Sequence, residues 1–279
     1  MLLLPSEIQS FQNTVRAFYR ENRRDFAWRG ISDPYAVLVS EMMLQQTQTL
    51  RVVPKYQEWM QAFPTAPALA AAPLSLVLSH WVGLGYNRRA LFLQKACQAV
   101  CDRYNGVFPR TQEELLSLPG IGLYTAGAVS TFAYNQPNVF IETNIRSVFI
   151  HTFFSQRLIE EPEVKIDDKE LYPLVEQTLD RANPREWYYA LMDYGADLKK
   201  KVTNPSRKSR QYAKQSPFEG SLRQARGAVL RCLSQKSQAS LAQIALSEKV
   251  DLERIEKAAE KLVAEGLLAF DGGLYRISD

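Results

Sequence analysis

Nine consecutive residues near the middle of the chain, Leu118-Pro119-Gly120-Ile121-Gly122-Leu123-Tyr124-Thr125-Ala126, constrain its fold more than any other run. Pro119 and Gly120 stop one helix, and a second apolar-periodic helix begins just past Gly122. Two helices joined by so short a glycine turn aim several backbone N–H groups at one spot, a concavity suited to a phosphate oxygen. An ordinary helical hairpin has the same outline, so the run by itself leaves both readings open.

Around that turn most of the chain repeats apolar residues at the 3.6-residue period of a helix. Ile8 to Tyr19 is one such segment, and Asp33-Pro34 caps and opens another that runs to about Gln46. Pro64 to Ala72 is a proline- and alanine-rich approach to a helix centred on Leu76 and Leu78. After the break at Gly83-Leu84-Gly85-Tyr86, Arg88 to Tyr104 is helical, and Thr111 with Glu114 makes a capping box for a short helix ending at Leu118. Tyr124 to Phe132, Asn144 to Phe154, Glu170 to Ala182 and Pro184 to Asp197 complete an all-α body. Beyond Gly220, three short amphipathic segments (Leu222 to Leu233, Leu241 to Ser247, Leu252 to Glu265) precede a β-hairpin, Leu267 to Phe270 and Leu274 to Ile277, turning at Asp271-Gly272-Gly273. That order is the plan of a winged helix-turn-helix. Its would-be recognition helix is rich in acids, which favours a structural or protein-binding role over phosphate contact.

Hydrophobic residues make up 46% and charged residues 23% of the 279 positions, a balance that excludes a disordered chain, a collagen and a disulfide-stapled miniprotein. No apolar run approaches the ~18 residues a membrane span needs, and Met1 to Pro5 lacks the basic start of a secretory signal. No membrane partner and a cytoplasmic location are expected. Cys97, Cys101 and Cys232 have no ligand-like clustering, so no metal site is expected. Charge is uneven: Lys199 to Arg231 carries ten basic residues against one acid, Glu219, so this strip is +9 and the rest −5 within a total of +4. Such a strip suits a polyanion partner or a solvated linker.

Ser40-Glu41-Met42-Met43-Leu44-Gln45-Gln46-Thr47-Gln48 decides between these. It closely resembles the segment that carries the catalytic glutamate of the MutY-like adenine DNA glycosylases, and the Leu118 to Ala126 run resembles the helix-hairpin-helix of the DNA glycosylase superfamily to which they belong. Trp28-Arg29, Asp33-Pro34-Tyr35, Gly83 to Ala90 and Tyr189 to Ala196 look like the same family, so the likeness runs from about residue 25 to about residue 198. It implies a bilobal all-α fold with DNA across the cleft. Residues 1–29 would form an N-terminal helix packing with the second lobe, 30–135 a six-helix lobe with the hairpin, and 136–200 the second lobe. Residues 201–219 would be a basic linker and 220–279 the winged helix.

The resemblance implies a monomer that hydrolyses an N-glycosidic bond in double-stranded DNA carrying a lesion or mismatch. Releasing a purine needs the leaving base protonated and an oxocarbenium-like sugar stabilised by a carboxylate. Glu41 matches the general acid and would need burial to hold its proton near neutrality. The target nucleotide must leave the stack. Gln46 matches the side chain that wedges into the duplex, Tyr86 an aromatic near the opposite base, and Arg29 and Asp193 positions that touch the extruded base. Asn144 falls within the implied catalytic set. Arg88, Arg89, Gly120, Gly122, Thr125, Lys199, Lys200 and Lys201 are the implied DNA contacts. Tyr124 stands where the related endonuclease III branch has a lysine nucleophile. A phenol forms no Schiff base, which implies a monofunctional glycosylase.

Three departures stand against the family pattern. The sugar-stabilising aspartate falls at Glu142, whose extra methylene moves the carboxylate by about a bond length, and ~1 Å errors can cost ~10²-fold in rate. The four-cysteine iron–sulfur loop should begin after Gly195-Ala196, yet Asp197-Leu198-Lys199-Lys200-Lys201 follows, so no cluster and no other cofactor is expected. The family's 8-oxoguanine-reading C-terminal domain is replaced by the expected winged helix. Adenine opposite 8-oxoguanine or guanine is the first expected substrate. Another damaged or mismatched base, or a non-catalytic lesion sensor, stays open.

Overall fold

The computed structural model describes residues 1–278. In chain order the helices are α1 (Pro5–Asn22), α2 (Pro34–Leu44), α3 (Thr49–Ala62), α4 (Ala66–Ala71), α5 (Leu74–Trp81), α6 (Arg88–Tyr104) and α7 (Gln112–Leu116). They continue with α8 (Leu123–Tyr134), α9 (Thr143–Glu160), α10 (Asp168–Thr178), α11 (Pro184–Lys201), α12 (Leu222–Gln235), α13 (Leu241–Glu248) and α14 (Leu252–Ala264). Strands β1 (Leu268–Asp271) and β2 (Leu274–Ile277) close the chain as an antiparallel hairpin, with Leu268 opposite Ile277. No helix among the described residues is long and apolar enough to cross a membrane.

Local chemistry sets many of the boundaries. Proline occupies the first turn of α1 and α11, where a missing N–H costs nothing. Asp167 with Glu170 and Ser240 with Gln243 make capping boxes for α10 and α13. Asn105 and Asn135 end α6 and α8 in the left-handed region that asparagine tolerates. Two helices arise where the sequence reading places none. Pro54 lies inside α3, but Val52, Tyr56 and Trp59 recur at helical spacing and are all buried, and that burial outweighs the proline. The proline-rich approach to α5 is itself helical as α4, whose N-terminus Thr65 caps by accepting the Ala68 N–H.

The chain divides into two compact units. The first comprises residues 1–34, 110–113 and 122–214. Here α11 packs on α9 and α1, and Phe11 meets Phe149 and Trp187 edge-on at 5.3 and 5.9 Å. Phe140 and Tyr188 stack at 3.9 Å, and burial pushes the Tyr188 phenol up. Residues 203–210, expected within a linker, are docked on this unit. Asn204 caps a 3₁₀ turn at Pro205–Lys208 and accepts the Ser147 hydroxyl of α9 at 3.2 Å. Ile166 donates its N–H to the Lys208 carbonyl at 2.8 Å and accepts the Arg210 N–H at 2.9 Å.

The second unit comprises residues 35–109, 114–121 and 215–279. Its core includes Trp59, Phe63 and Trp81, with Trp59 4.9 Å from Phe63 and 5.3 Å from Trp81. Tyr35 joins them by donating to the Phe63 carbonyl at 2.7 Å and accepting the Trp59 indole N–H at 3.2 Å. Truncating such a buried tryptophan typically costs about 3–5 kcal/mol. In the same unit α12 packs on α5, α13 and α14. Helix α14 turns Ile255, Ala258, Ala259 and Leu262 inward, and Ala239 bridges to Tyr275 beside the hairpin.

Candidate active site and nucleic-acid interface

Helix α2 is buried on every side from Tyr35 to Met43, as expected of a helix apolar all round. Glu41 sits within that run and is only 6% exposed. It is a carboxylate carried by an enclosed helix. The helix ends at Leu44 and the chain turns through Gln46 at φ 55°, an exposed glutamine in the left-handed region. Tyr86, at φ 49° and 38% exposed, is a second large residue in that region. Side chains rarely adopt it without being held there.

Arg89 does the holding. It was expected on DNA, but it is buried, and its guanidinium serves carbonyls of this unit instead. Nη1 donates to Met42, Met43 and Gln45 carbonyls at 2.7, 3.1 and 2.5 Å, and Nη2 to Leu84 and Gly85 carbonyls and the Thr47 hydroxyl at 3.2, 3.0 and 3.2 Å. Burial draws its pKa down to about 10, so it stays charged at neutral pH. The signal was available in the helical period, which puts Arg89 on one stripe with Leu93, Ala96 and Val100, all buried. Arg88 next to it is exposed, with its guanidinium 5.3 Å from the Phe92 ring centroid.

In the hairpin run, Gly120 takes φ 76° and a Cβ there would collide with the Phe92 side chain, so glycine is required twice over. The Ile121 N–H closes the turn on the Leu118 carbonyl at 3.2 Å. In the first unit, Gly122 is the N-cap of α8 and supplies no side-chain hydrogen bond. Thr125 is buried in the first turn, and Tyr124 lies edge-on to Phe140 at 5.8 Å.

Elsewhere in the first unit, Glu142 is the N-cap of α9: Oε1 accepts the N–H groups of Asn144 and Ile145 at 2.7 and 2.8 Å, and Oε2 accepts the Asn144 amide at 3.1 Å. Asn144 is therefore fixed at both ends, and its carbonyl lies so close to Gly195 of α11 that a Cβ there would overlap it. Asp193 is 2% exposed and accepts a bidentate pair from Arg29, both bonds at 2.7 Å. Arg24, which the sequence reading missed, adds its Nε at 2.6 Å and its backbone N–H at 2.9 Å. Burial by itself raises the Asp193 carboxyl, but the hydrogen bonds and charges of Arg29 and Arg24 outweigh it and hold the group below its ordinary value. Arg29 also stacks over Tyr189 at 4.7 Å.

The three lysines ending α11 differ in setting. Lys199 is half-buried, and burial lowers its pKa against the raising effect of Glu142. Lys200 is exposed, and Lys201 pairs with Asp197 at 2.6 Å. The end of α11 does not fit an iron–sulfur cluster: the helix runs unbroken to Lys201, and no cysteine follows until Cys232.

A glycine-turned helical hairpin, an enclosed glutamate on a buried helix and two strained exposed residues beside it define a helix-hairpin-helix glycosylase fold. Residues 39–173 match the HhH-GPD superfamily of base excision DNA repair proteins, so the chain carries a domain of that superfamily. It is 35% identical over 202 residues to an adenine DNA glycosylase of Homo sapiens, covering 69% of this chain and 36% of that one. It is 38% identical over 184 residues to an adenine DNA glycosylase of Mycobacterium tuberculosis, covering 65% and 59%. The chain thus spans between about a third and three fifths of these relatives' length. Among solved structures, a thermostable thymine-DNA glycosylase superposes with a TM-score of 0.62 at 26% identity, covering 74% of this chain and 93% of that one. A trapped endonuclease III–DNA covalent intermediate, at TM-score 0.54 and 23% identity over 78% and 92%, shares the fold.

Proposed function

We propose that this chain is a monofunctional DNA glycosylase that flips a mispaired or damaged base from duplex DNA and hydrolyses its N-glycosidic bond. The observation that carries the reading is Glu41, an acid enclosed on a buried helix within a segment matching the superfamily. In this reading Glu41 protonates the leaving base, and water completes the hydrolysis at the sugar carbon. Glu142 lies on the sugar side, where its negative charge favours the oxocarbenium-like transition state while its oxygens keep Asn144 in place. Tyr124 cannot open a Schiff-base route, so the abasic strand is left intact. Gln46 and Tyr86 enter the duplex, and the hairpin turn, Arg88 and Lys200 meet phosphates. Asp193 and Arg29 shape the base pocket as a locked pair. The C-terminal helices and hairpin are read as a winged helix, and the protein acts as a monomer without an iron–sulfur cluster.

Adenine opposite 8-oxoguanine or guanine is the leading substrate, because the relatives of highest sequence similarity named above are adenine DNA glycosylases. Mismatched thymine is the second reading, favoured by the structural likeness to a thymine-DNA glycosylase. Incubation with a panel of single-lesion duplexes followed by alkali tests both. Cleavage of adenine-containing mispairs alone supports the first, cleavage at T·G the second, and no cleavage with any duplex rejects the glycosylase reading.

A further inference from the structure

The second unit contains an open groove of about 900 Å³, within the range of sites that enclose a small organic ligand. Its lining comes from two stretches far apart in sequence: Gln46, Tyr86 and Arg88 on one side, Gln215, Phe218 and Arg223 on the other. Two contacts join the sides. Gln215 donates its amide to Gln46 Oε1 at 2.7 Å, and Arg223 Nη1 lies 3.4 Å from the Tyr86 hydroxyl. Gln46 and Tyr86, the residues met in this way, are both held at positive φ, and such strain concentrates at binding sites.

Charge sets Arg223 apart from its neighbours on α12. Arg226 is neutralised by Glu265 in a bidentate pair, and Arg231 by Glu248. Arg223 meets only neutral acceptors: the Gln215 amide oxygen at 3.1 Å, the Ser216 carbonyl at 2.5 Å and the Tyr86 phenol. No carboxylate among the described residues pairs with it. Among the described residues Arg88 likewise has no ion pair, its guanidinium lying over the Phe92 ring. Tyr86 and Phe218 stay exposed, Phe218 at 59%. Uncompensated guanidiniums interleaved with exposed aromatic rings suit an unstacked nucleotide, whose base offers a π face and acceptors and whose phosphate offers charge.

We infer that this groove receives an unpaired nucleotide of DNA and that Arg223 and Gln215 determine which base is accepted there. The planar fork of Arg223 matches the O6 and N7 acceptors of guanine, a match that a pyrimidine or adenine edge does not offer. The inference rests on the glycosylase reading above: the nucleotide would be the one left opposite the excised base.

Equilibrium binding of the full chain to duplexes carrying a stable abasic-site analogue opposite guanine, adenine, cytosine or thymine tests it. The native protein should prefer guanine, and Arg223→Ala should reduce that preference roughly tenfold. Arg223→Lys, which keeps the charge on an exposed-side contact but loses the fork, should reduce it as well. Gln215→Ala, at an exposed position that bonds only Gln46 and Arg223 side chains, should reduce the same preference. Absence of any preference in the native protein, or an unchanged preference in Arg223→Ala and Arg223→Lys, overturns the inference. So does a uniform weakening for all four duplexes with a salt slope reduced by about one, which would make Arg223 a phosphate contact. Because the abasic analogue needs no base release, an inactive enzyme would show itself separately, as a guanine preference without excision on the lesion panel.

Discussion

Glu142 binds Asn144 twice, through its backbone N–H at 2.7 Å and its side-chain amide at 3.1 Å. A glutamate is an uncommon N-cap, since Ser, Thr, Asp and Asn reach the same N–H groups with shorter side chains. Here the extra methylene lets one carboxylate close the helix end and grip the amide at once.

Capping and electrostatics at Glu142 separate by substitution. Glu142→Ala should cost about 1 kcal/mol and lower the Tm by about 2–4 °C. Glu142→Gln retains an acceptor for the helix end and should melt near the native value while losing at least tenfold in single-turnover excision. Native excision by Glu142→Gln would confine the residue to a structural role.

For Glu41 the decisive variant is the isosteric amide. Glu41→Gln should abolish base release, because no proton can be delivered to the leaving base, with duplex affinity held within a few fold. Near-native single-turnover excision would reject Glu41 as the general acid.

Asp193 predicts an acid-limb effect. Its carboxyl is depressed below the ordinary value of 3.8, so the stability it contributes is present above that value and is lost as the pH falls through the lower folded-state value. Asp193→Asn leaves Arg29 and Arg24 without their anion and should cost about 3 kcal/mol near neutrality. Urea unfolding at pH 7, 5 and 3 should show the native protein losing more stability than the variant between pH 5 and 3. Parallel losses would contradict the locked ion pair.

The lysines ending α11 should act on phosphate as a group but unequally. Each neutralised phosphate adds ~0.9 to the slope of log affinity against log salt. Lys199→Ala, Lys200→Ala and Lys201→Ala combined should flatten that slope by roughly one to three units, with Lys200 alone giving about one. An unchanged slope would leave the strip as solvated surface.

Iron content follows from sequence arithmetic. A cluster of this kind needs four thiolates, and the chain has three cysteines, none near the end of α11. Purified protein should carry no iron by elemental analysis and no visible cluster absorbance. Stoichiometric iron would refute this.

Much of this architecture was legible because period and punctuation agreed. The apolar period of Arg88 to Tyr104 predicts a helix with the bounds that α6 has, and the glycines at 272 and 273 predict the hairpin to within a residue. Helix α3 escaped notice because Pro54 masked a periodic stripe whose weight lies in long-range burial of Trp59. The site was legible as residue types but not as partners. Nothing local distinguishes Arg88 from Arg89 except helical phase, and nothing near Asp193 announces Arg24, 169 positions away. The left-handed backbone at Gln46 and Tyr86 has no compositional signal, since glycine and asparagine normally occupy such positions.

Arg89 has a mechanical meaning. One guanidinium grips the end of α2 at Met42, Met43 and Gln45 and the loop at Leu84 and Gly85, so the segments bearing Gln46 and Tyr86 are fastened to a common pin. Neither segment can slide without straining the other. Two side chains forty residues apart in sequence are thereby kept at a constant spacing, like the tines of a single fork, and whatever pushes against one is resisted by both.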